Sequence, residues 1–343
     1  MEKYLDGDTQ TGVALSMVLG GEVAQYWNGL ANREKGTTVD LDTLFVIASV
    51  QKVFTSTLCA VRIVNGKMQL PDPVTKYLPP DVGKDGRAIN EVTLGALTTM
   101  TAGMPRNATK EPASNLYNDL PPSPELQKWW TDFVPQWPIG TKEFYSNVGV
   151  VTLGFATAQA GGAGYTGLLA NDITGPLEMP STVVDVSGFP ADRIAQGYNK
   201  AGNRVADRGV GLNSTANDLI RFVQANLFML SAPDTLTQAM RLAQTPLFQS
   251  SDNQAIAMNW YVTRLDDGSR LIGKDGGNAG FSAWIGFIPE QQAGIALLSN
   301  GHPAGISLTK AGKQILLEAT GISADDALLE TSDQGALGAD IDD

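Results

Sequence analysis
Two short apolar runs, 13–19 and 22–27, flank the pair Gly20-Gly21, and this pattern predicts a β-hairpin that opens a sheet. A further run at 43–48 leads into residues 49–64, which contain helix formers and neither Gly nor Pro. Asn65-Gly66 then supplies a C-cap, so a helix is predicted over 49–64. Apolar residues lie on most sides of that helix, which predicts burial, with its first turn at the bottom of a cleft. Between 71 and 247 helical segments alternate with loops such as Pro79-Pro80, Pro121-Pro122 and the glycine-rich 161–164. Within this stretch Thr215, with Asp218 three residues on, precedes the apolar Leu219, Ile220, Phe222 and Val223, a capping-box signature. Residues 255–262, 269–273, 281–288 and 294–298 read as successive strands separated by turns such as Asp267-Gly268 and Pro289. A last helix over 306–319 ends at Gly321.

Strands at both ends and helices between them predict an α/β (α+β) fold, an antiparallel sheet flanked by helices and interrupted by a mostly helical insertion. The expected division is a sheet domain from 1–66 and 248–343 and a mostly helical domain from 67–247, with the site in the cleft between them. A chain of 343 residues is long enough to bury a substantial core.

Composition narrows the function. Hydrophobic residues at 43% and charged residues at 17% fit a soluble globule and exclude general disorder. A formal charge of −12 opposes phosphate backbones and anionic lipid surfaces, so nucleic acid is not an expected partner. Part of that charge sits at 325–343, which reads as a frayed acidic tail without function. The run 13–19 is too short to span a bilayer and no membrane insertion is expected. The single cysteine, Cys59, rules out an intrachain disulfide and a cysteine-bound metal, and its place in the buried helix predicts core packing. No ligand cluster or phosphate-binding glycine loop occurs, so no metal, nucleotide or redox cofactor is expected.

The chemistry must come from a serine without a histidine partner. His302 is the one histidine, set in a loop after Asn300-Gly301 and read as loop packing, and no G-x-S-x-G elbow occurs. A serine hydroxyl needs a base within hydrogen-bond reach, and Ser49-Val50-Gln51-Lys52 supplies one at i, i+3 on one helix face. Burial and a second cation lower a lysine's pKa, and such surroundings favour the phenolate of Tyr145. Single motifs recur by chance: Ser307-Leu308-Thr309-Lys310 repeats S-x-x-K, Tyr26-Trp27-Asn28 repeats the Y-x-N of Tyr145-Ser146-Asn147, and Lys84-Asp85-Gly86 repeats the K-x-G of Lys274-Asp275-Gly276. Order and context select among them. Ser49 opens a buried helix, Tyr145 follows in the helical insertion, and Lys274 comes between strands, whereas neither later motif follows Ser307.

In this order the motifs resemble the penicillin-recognising serine hydrolases, especially class C β-lactamases, with relatives among D,D-peptidases and family VIII carboxylesterases. The likeness covers nearly the whole chain and includes Thr43-Leu44-Phe45, Phe54-Thr55, Pro71-Asp72-Pro73, Thr101-Ala102-Gly103-Met104-Pro105 and Gly280-Phe281-Ser282 leading into Phe287-Ile288-Pro289. The resemblance implies a β-lactamase/transpeptidase-like fold with Ser49 as nucleophile. It implies that Lys52 and Tyr145 share general base and acid duty and that Lys274 orients the tyrosine electrostatically. Asn147 then holds the substrate amide and the lysine, and the N–H groups of Ser49 and Gly277 form an oxyanion hole, Gly276 and Gly277 admitting a strand edge close to the substrate. Asn107 falls where the family places an amide that binds the acyl amide. The implied substrate is a small lactam, amide or ester, and the implied location is periplasmic or secreted where a signal has been removed.

Two features depart from the pattern. Asp275 stands where the family usually has Thr or Ser, and an ionised Asp275 facing the substrate repels a carboxylate. The span from Tyr145 to Lys274 is also shorter than in class C β-lactamases. The expected activity is β-lactamase or D,D-peptidase type amide hydrolysis, with a carboxylesterase or a D-amino-acid amidase as the enzymatic alternatives. A slowly acylated penicillin-binding sensor is the non-enzymatic one, marked by a stable adduct without turnover.

Overall fold
The computed structural model describes residues 11–108, 121–206, 211–302 and 306–323, and the acidic tail expected at 325–343 lies outside the described residues. Among them the strands in chain order are β1 Val13–Leu19, β2 Glu22–Asn28, β3 Leu30–Asn32, β4 Thr37–Thr38, β5 Phe45–Val46, β6 Asn213–Ser214, β7 Phe248–Gln249, β8 Gln254–Ile256, β9 Tyr261–Arg264, β10 Arg270–Gly277, β11 Ser282–Ile288 and β12 Ala293–Ser299. The α-helices are α1 Gln51–Val64, α2 Leu94–Thr98, α3 Pro124–Thr131, α4 Asn147–Gly161, α5 Tyr165–Leu169, α6 Ala216–Asn226, α7 Asp234–Ala243 and α8 Leu308–Thr320. None of them is long and apolar enough to cross a membrane.

The chain falls into two compact units. One takes its described residues from Met1–Gln51, Leu177–Ser231 and Thr263–Asp343, the other from Lys52–Pro176 and Ala232–Val262. These limits differ from the expected 66/67 and 247/248 because packing, not the helix or strand type, decides them. Residues beyond Lys52 in α1 bond to later helices, the Thr55 hydroxyl to that of Tyr165 at 2.9 Å and Arg62 to Asp172, and so leave the sheet unit. Helix α6, expected in the insertion, instead covers the sheet.

In the first unit five strands run antiparallel in the order β2-β1-β12-β11-β10. The predicted hairpin forms between Leu19 and Glu22, with Gly20 at φ 56° and Gly21 at φ 97°, the two positive values that a tight hairpin turn of the primed type requires. Strand β1 is buried from Val13 to Val18 because both sheet faces are covered, which is why it reads as an unbroken apolar run and not as an alternation. On one face Val13, Leu15, Trp284, Ile295 and Leu297 pack with Leu308, Ala311 and Ile315 of α8. A Cβ at Gly312 would strike the Trp284 ring, so glycine sets how closely α8 approaches. On the other face Val223 of α6 reaches Gly294 in the same way. Helix α8 begins at Ser307, whose Oγ accepts from the Lys310 N–H at 3.2 Å, so the second S-x-x-K match is a helix cap.

Asn300, just past β12, ties this unit together without exposed surface. Its Oδ1 accepts from Gly12 N–H at 2.7 Å, and its Nδ2 donates toward the carbonyls of Leu30, Ala31 and Gln196 at 2.9, 3.1 and 2.9 Å. Truncation removes the side-chain partner of the Gly12 N–H and of the Leu30 and Gln196 carbonyls, while Ala31 O keeps the Gln196 N–H at 2.8 Å. Asn300→Ala is therefore expected to cost about 3 kcal/mol, read as a lower urea midpoint at unchanged slope; a loss below about 1 kcal/mol contradicts the tie.

The second unit is mostly helical. Helix α4 is buried on all sides from Val148 to Ala158, packs on α2 and α5, and ends at Gly162 with φ 69°. Trp130 of α3 donates to Thr152 Oγ1 at 2.8 Å. Cys59 of α1 is fully buried and burial pushes its thiol up to about 12, so it packs and does not react, as expected.

The sequence reading needs adjustment at three places. The helix expected from 49 begins as a 3₁₀ turn at Ala48–Val50 that passes into α1, and the run before it contributes the short strand β5. The strand expected at 255–262 breaks into β8 and β9, because Asn259 turns at φ 60° while its Nδ2 donates to Ser56 Oγ at 2.7 Å. The strand expected at 269–273 runs on to Gly277, so Lys274 lies within β10 and not between strands. Pairing to β11, which runs from Ile272 through Gly277, outweighs the low strand propensity of the Asp-Gly-Gly end.

Candidate active site
The sequence-predicted site residues are distributed over both units. In the sheet unit Ser49 sits at the centre of the 3₁₀ turn Ala48–Val50. Strand β5 pairs with β6 and Ile47 N–H donates to Leu212 O at 3.0 Å, so the chain enters the turn already fixed. Ala48 takes φ 45°, a left-handed backbone that costs a non-glycine residue roughly 1 kcal/mol. Ser49 itself keeps partial exposure although Val50, Val53 and Phe54 after it are fully buried. A part-exposed serine thus heads a buried helix.

Strand β10 packs against this turn. A Cβ at Gly276 would collide with the Ile47 carbonyl oxygen and stand 3.0 Å from the backbone nitrogens of Ser49 and Val50, so only glycine admits this approach. The regular register, Lys274 opposite Ile285, Asp275 opposite Trp284, Gly276 opposite Ala283 and Gly277 opposite Ser282, puts Lys274 and Gly276 on one strand face and Asp275 and Gly277 on the other. Lys274 is fully buried and Asp275 nearly so, and Lys274 Nζ lies 3.6 Å from Asp275 Oδ1. His302 lies near this strand end, its Nδ1 3.3 Å from Ser282 Oγ, and burial holds its pKa below the ordinary histidine value. It is a half-buried loop histidine, as read from the sequence.

In the helical unit Lys52, the second residue of α1, brings Nζ to 4.7 Å from the Tyr145 ring centre, with both residues buried. Tyr145 packs among Met100, Ile256 and Tyr261. Arg106, which the sequence reading did not single out, places its guanidinium 5.0 Å from the same ring, so two cations flank the tyrosine. The signal available was its position directly after the Thr101–Pro105 motif.

Three hydrogen bonds lock the Tyr145-Ser146-Asn147 motif to residues 105–107. Ser146 Oγ donates to Pro105 O at 2.6 Å, Asn147 N–H donates to Arg106 O at 2.7 Å, and Asn147 Nδ2 donates to Asn107 Oδ1 at 2.8 Å. Ser146 also caps α4 by accepting from Gly149 N–H at 2.9 Å, which explains a serine between the tyrosine and the asparagine. Lys52 and Tyr145 are thus brought together, as are Asn107 and Asn147. Ser49, Lys274, Asp275, Gly276 and Gly277 gather around one turn and one strand.

The sheet unit thus carries an antiparallel sheet covered by helices and a part-exposed serine in a 3₁₀ turn, and the helical unit carries a buried lysine whose Nζ is 4.7 Å from a tyrosine ring centre. The family model described as Beta-lactamase matches residues 1–319. The chain belongs to the beta-lactamase family and is a serine hydrolase. It is 29% identical to a beta-lactamase of Lysobacter lactamgenus, over 84% of this chain and 82% of that protein. A class C beta lactamase from Rhodobacter sphaeroides superposes with a TM-score of 0.73 at 26% identity, over 85% of this chain and 90% of that one. A further class C beta-lactamase matches with a TM-score of 0.79 over 92% of each chain at 24% identity, a likeness of fold.

Proposed function
We propose that the chain hydrolyses lactam and related amide or ester bonds through an acyl-enzyme on Ser49. The observation that carries this reading is the Ser49 turn, with its part-exposed serine and the glycine-only approach of β10 at Gly276. In the proposed sequence Ser49 Oγ attacks the substrate carbonyl and its proton passes to the Lys52 and Tyr145 pair. The tetrahedral oxyanion takes hydrogen bonds from the N–H groups of Ser49 and Gly277. Tyr145 then returns the proton to the departing amine or alkoxide as the tetrahedral centre collapses to the ester. Water repeats the attack on that ester, and Ser49 leaves with its proton restored. Asn147 and Asn107, tied to each other, present amide groups to the acyl side chain, and Lys274 contributes its charge from the strand face that meets the turn.

Mixing the enzyme with a chromogenic cephalosporin and stopping within milliseconds to seconds should trap a covalent adduct. Intact-mass and peptide mapping are expected to locate it on Ser49, decaying as product forms. An adduct elsewhere, or turnover without one, contradicts the reading. An adduct that persists without product indicates the penicillin-binding sensor.

A further inference from the structure
We propose that strand β2 is a homodimer interface, along which two copies of the chain pair antiparallel about a two-fold axis at Gln25 and join their sheets. In the order β2-β1-β12-β11-β10 this strand is the outer edge, at the far end from the strand that carries Gly276. The two-residue turn makes Leu19 and Glu22 the closing hydrogen-bonded pair of the hairpin. By alternation Ala24, Tyr26 and Asn28 then also bond to β1 through their main chain. Gly20 N–H, which donates to Gln292 O at 3.0 Å on the β12 side, keeps the same alternation. The main-chain N–H and C=O groups of Val23, Gln25 and Trp27 therefore point away from β1, where none of the described strands pairs with them.

Edge strands are ordinarily protected by lysine, proline, a bulge or brevity. β2 has none of these protections: it runs seven residues in unbroken register with β1, and Glu22 is its one charged residue. Its side chains suit a second copy. Gln25 Nε2 donates to Ser16 Oγ at 3.2 Å and to Asn217 Oδ1 of α6 at 2.8 Å, which draws the central side chain back over its own sheet. On the same strand face Val23 and Trp27 stand 45% and 50% exposed on either side of it. Pairing Gln25 with its mate sets Val23 opposite Trp27, Ala24 opposite Tyr26 and Glu22 opposite Asn28, so apolar side chains meet across the axis and no like charges do. That register alone brings Val23, Gln25 and Trp27 of both copies into hydrogen-bonded pairs and satisfies every outward main-chain group of the edge. Helix α6 lies over β1 and β12, so the two α6 helices of such a dimer would stand roughly 19 Å apart, about twice the distance of packed helices, with the two tryptophans in the trough between them.

Sedimentation equilibrium of the full chain between about 1 and 300 µM tests the pairing, with thermal melting as the check of folding. Wild type is expected to dimerise with a Kd of about 1–100 µM. Trp27→Lys, which sets a charge opposite Val23, and Gln25→Pro, which removes the central outward N–H without touching the β1 ladder, are each expected to raise that Kd more than about tenfold. A wild-type chain that stays monomeric over the whole range overturns the proposal and leaves the edge to a strand of another protein. An affinity within about tenfold of wild type in either folded variant overturns it too, because the dimer then uses another surface. Should Gln25→Pro fail to fold, Trp27→Lys decides alone, since it replaces a half-exposed side chain at the surface.

Discussion
Ser49→Ala is expected to abolish turnover of lactam and ester substrates alike, by at least about 10⁴-fold in kcat, and to remove the covalent adduct, while thermal unfolding stays within a few degrees of wild type. The backbone of the turn is held from outside the side chain. Strand pairing of β5 with β6, the Ile47 N–H to Leu212 O bond and the approach of Gly276 persist when Oγ is gone. The substituted alanine is also compatible with the 3₁₀ backbone. What disappears is the one atom able to form the ester. Residual rate comes only from binding and from the backbone N–H groups, which still polarise a carbonyl. Stopped-flow absorbance with mass detection measures both quantities on the same sample. Turnover above about one per cent of wild type would remove Ser49 from the mechanism.

Tyr145→Phe is expected to slow acylation and deacylation together, each by about 10²–10⁴-fold, with little change in substrate binding. Phenylalanine retains the ring that packs among Met100, Ile256 and Tyr261 and the face that Lys52 and Arg106 approach at 4.7 and 5.0 Å. The variant therefore isolates the hydroxyl from the packing. Loss in both steps follows from the two duties proposed for it, since the pair that takes the proton from Ser49 in acylation would take it from water in the second half. Single-turnover rates under excess enzyme give the first step and the decay of the isolated adduct gives the second. A deficit confined to acylation would assign the deacylating base elsewhere, and a loss below tenfold in both would leave Tyr145 with a packing role.

Much of the fold, and the residues of the proposed site, were legible before the fold was known, for a local reason. Helix caps, left-handed glycines and motif spacing are decided within a few residues. Gly20-Gly21 defines the first hairpin, Thr215 with Asp218 starts α6, and Gly321, at φ 71°, ends α8. The proposed chemistry rests on the order of Ser49 with Lys52, then Tyr145 and Asn147, then Lys274 and Gly276, since each motif alone recurs at Tyr26, Lys84 and Ser307. In the folded chain Tyr26 lies in the edge strand β2, Lys84 forms an exposed ion pair with Asp81, and Ser307 caps a helix. Local meaning differs although the letters agree.

The sequence by itself determined the residue classes, the order of the motifs, the apolar runs that demand burial and the glycines that close turns. Tertiary structure alone decided which charges meet. Arg106 and Lys52 are separated from Tyr145 by 39 and 93 positions, and no short-range pattern records that both flank its ring. Asn300 looked like a loop residue until Gly12, Leu30, Ala31 and Gln196 converged on its amide. Lys274-Asp275-Gly276-Gly277 read as a turn by propensity, yet pairing with β11 draws it into a strand and sets Lys274 and Asp275 on opposite faces. The physical reason is that sheet register and packing act through cross-strand hydrogen bonds and close contacts between distant segments. Those terms outweigh the small intrinsic preferences that a local reading measures.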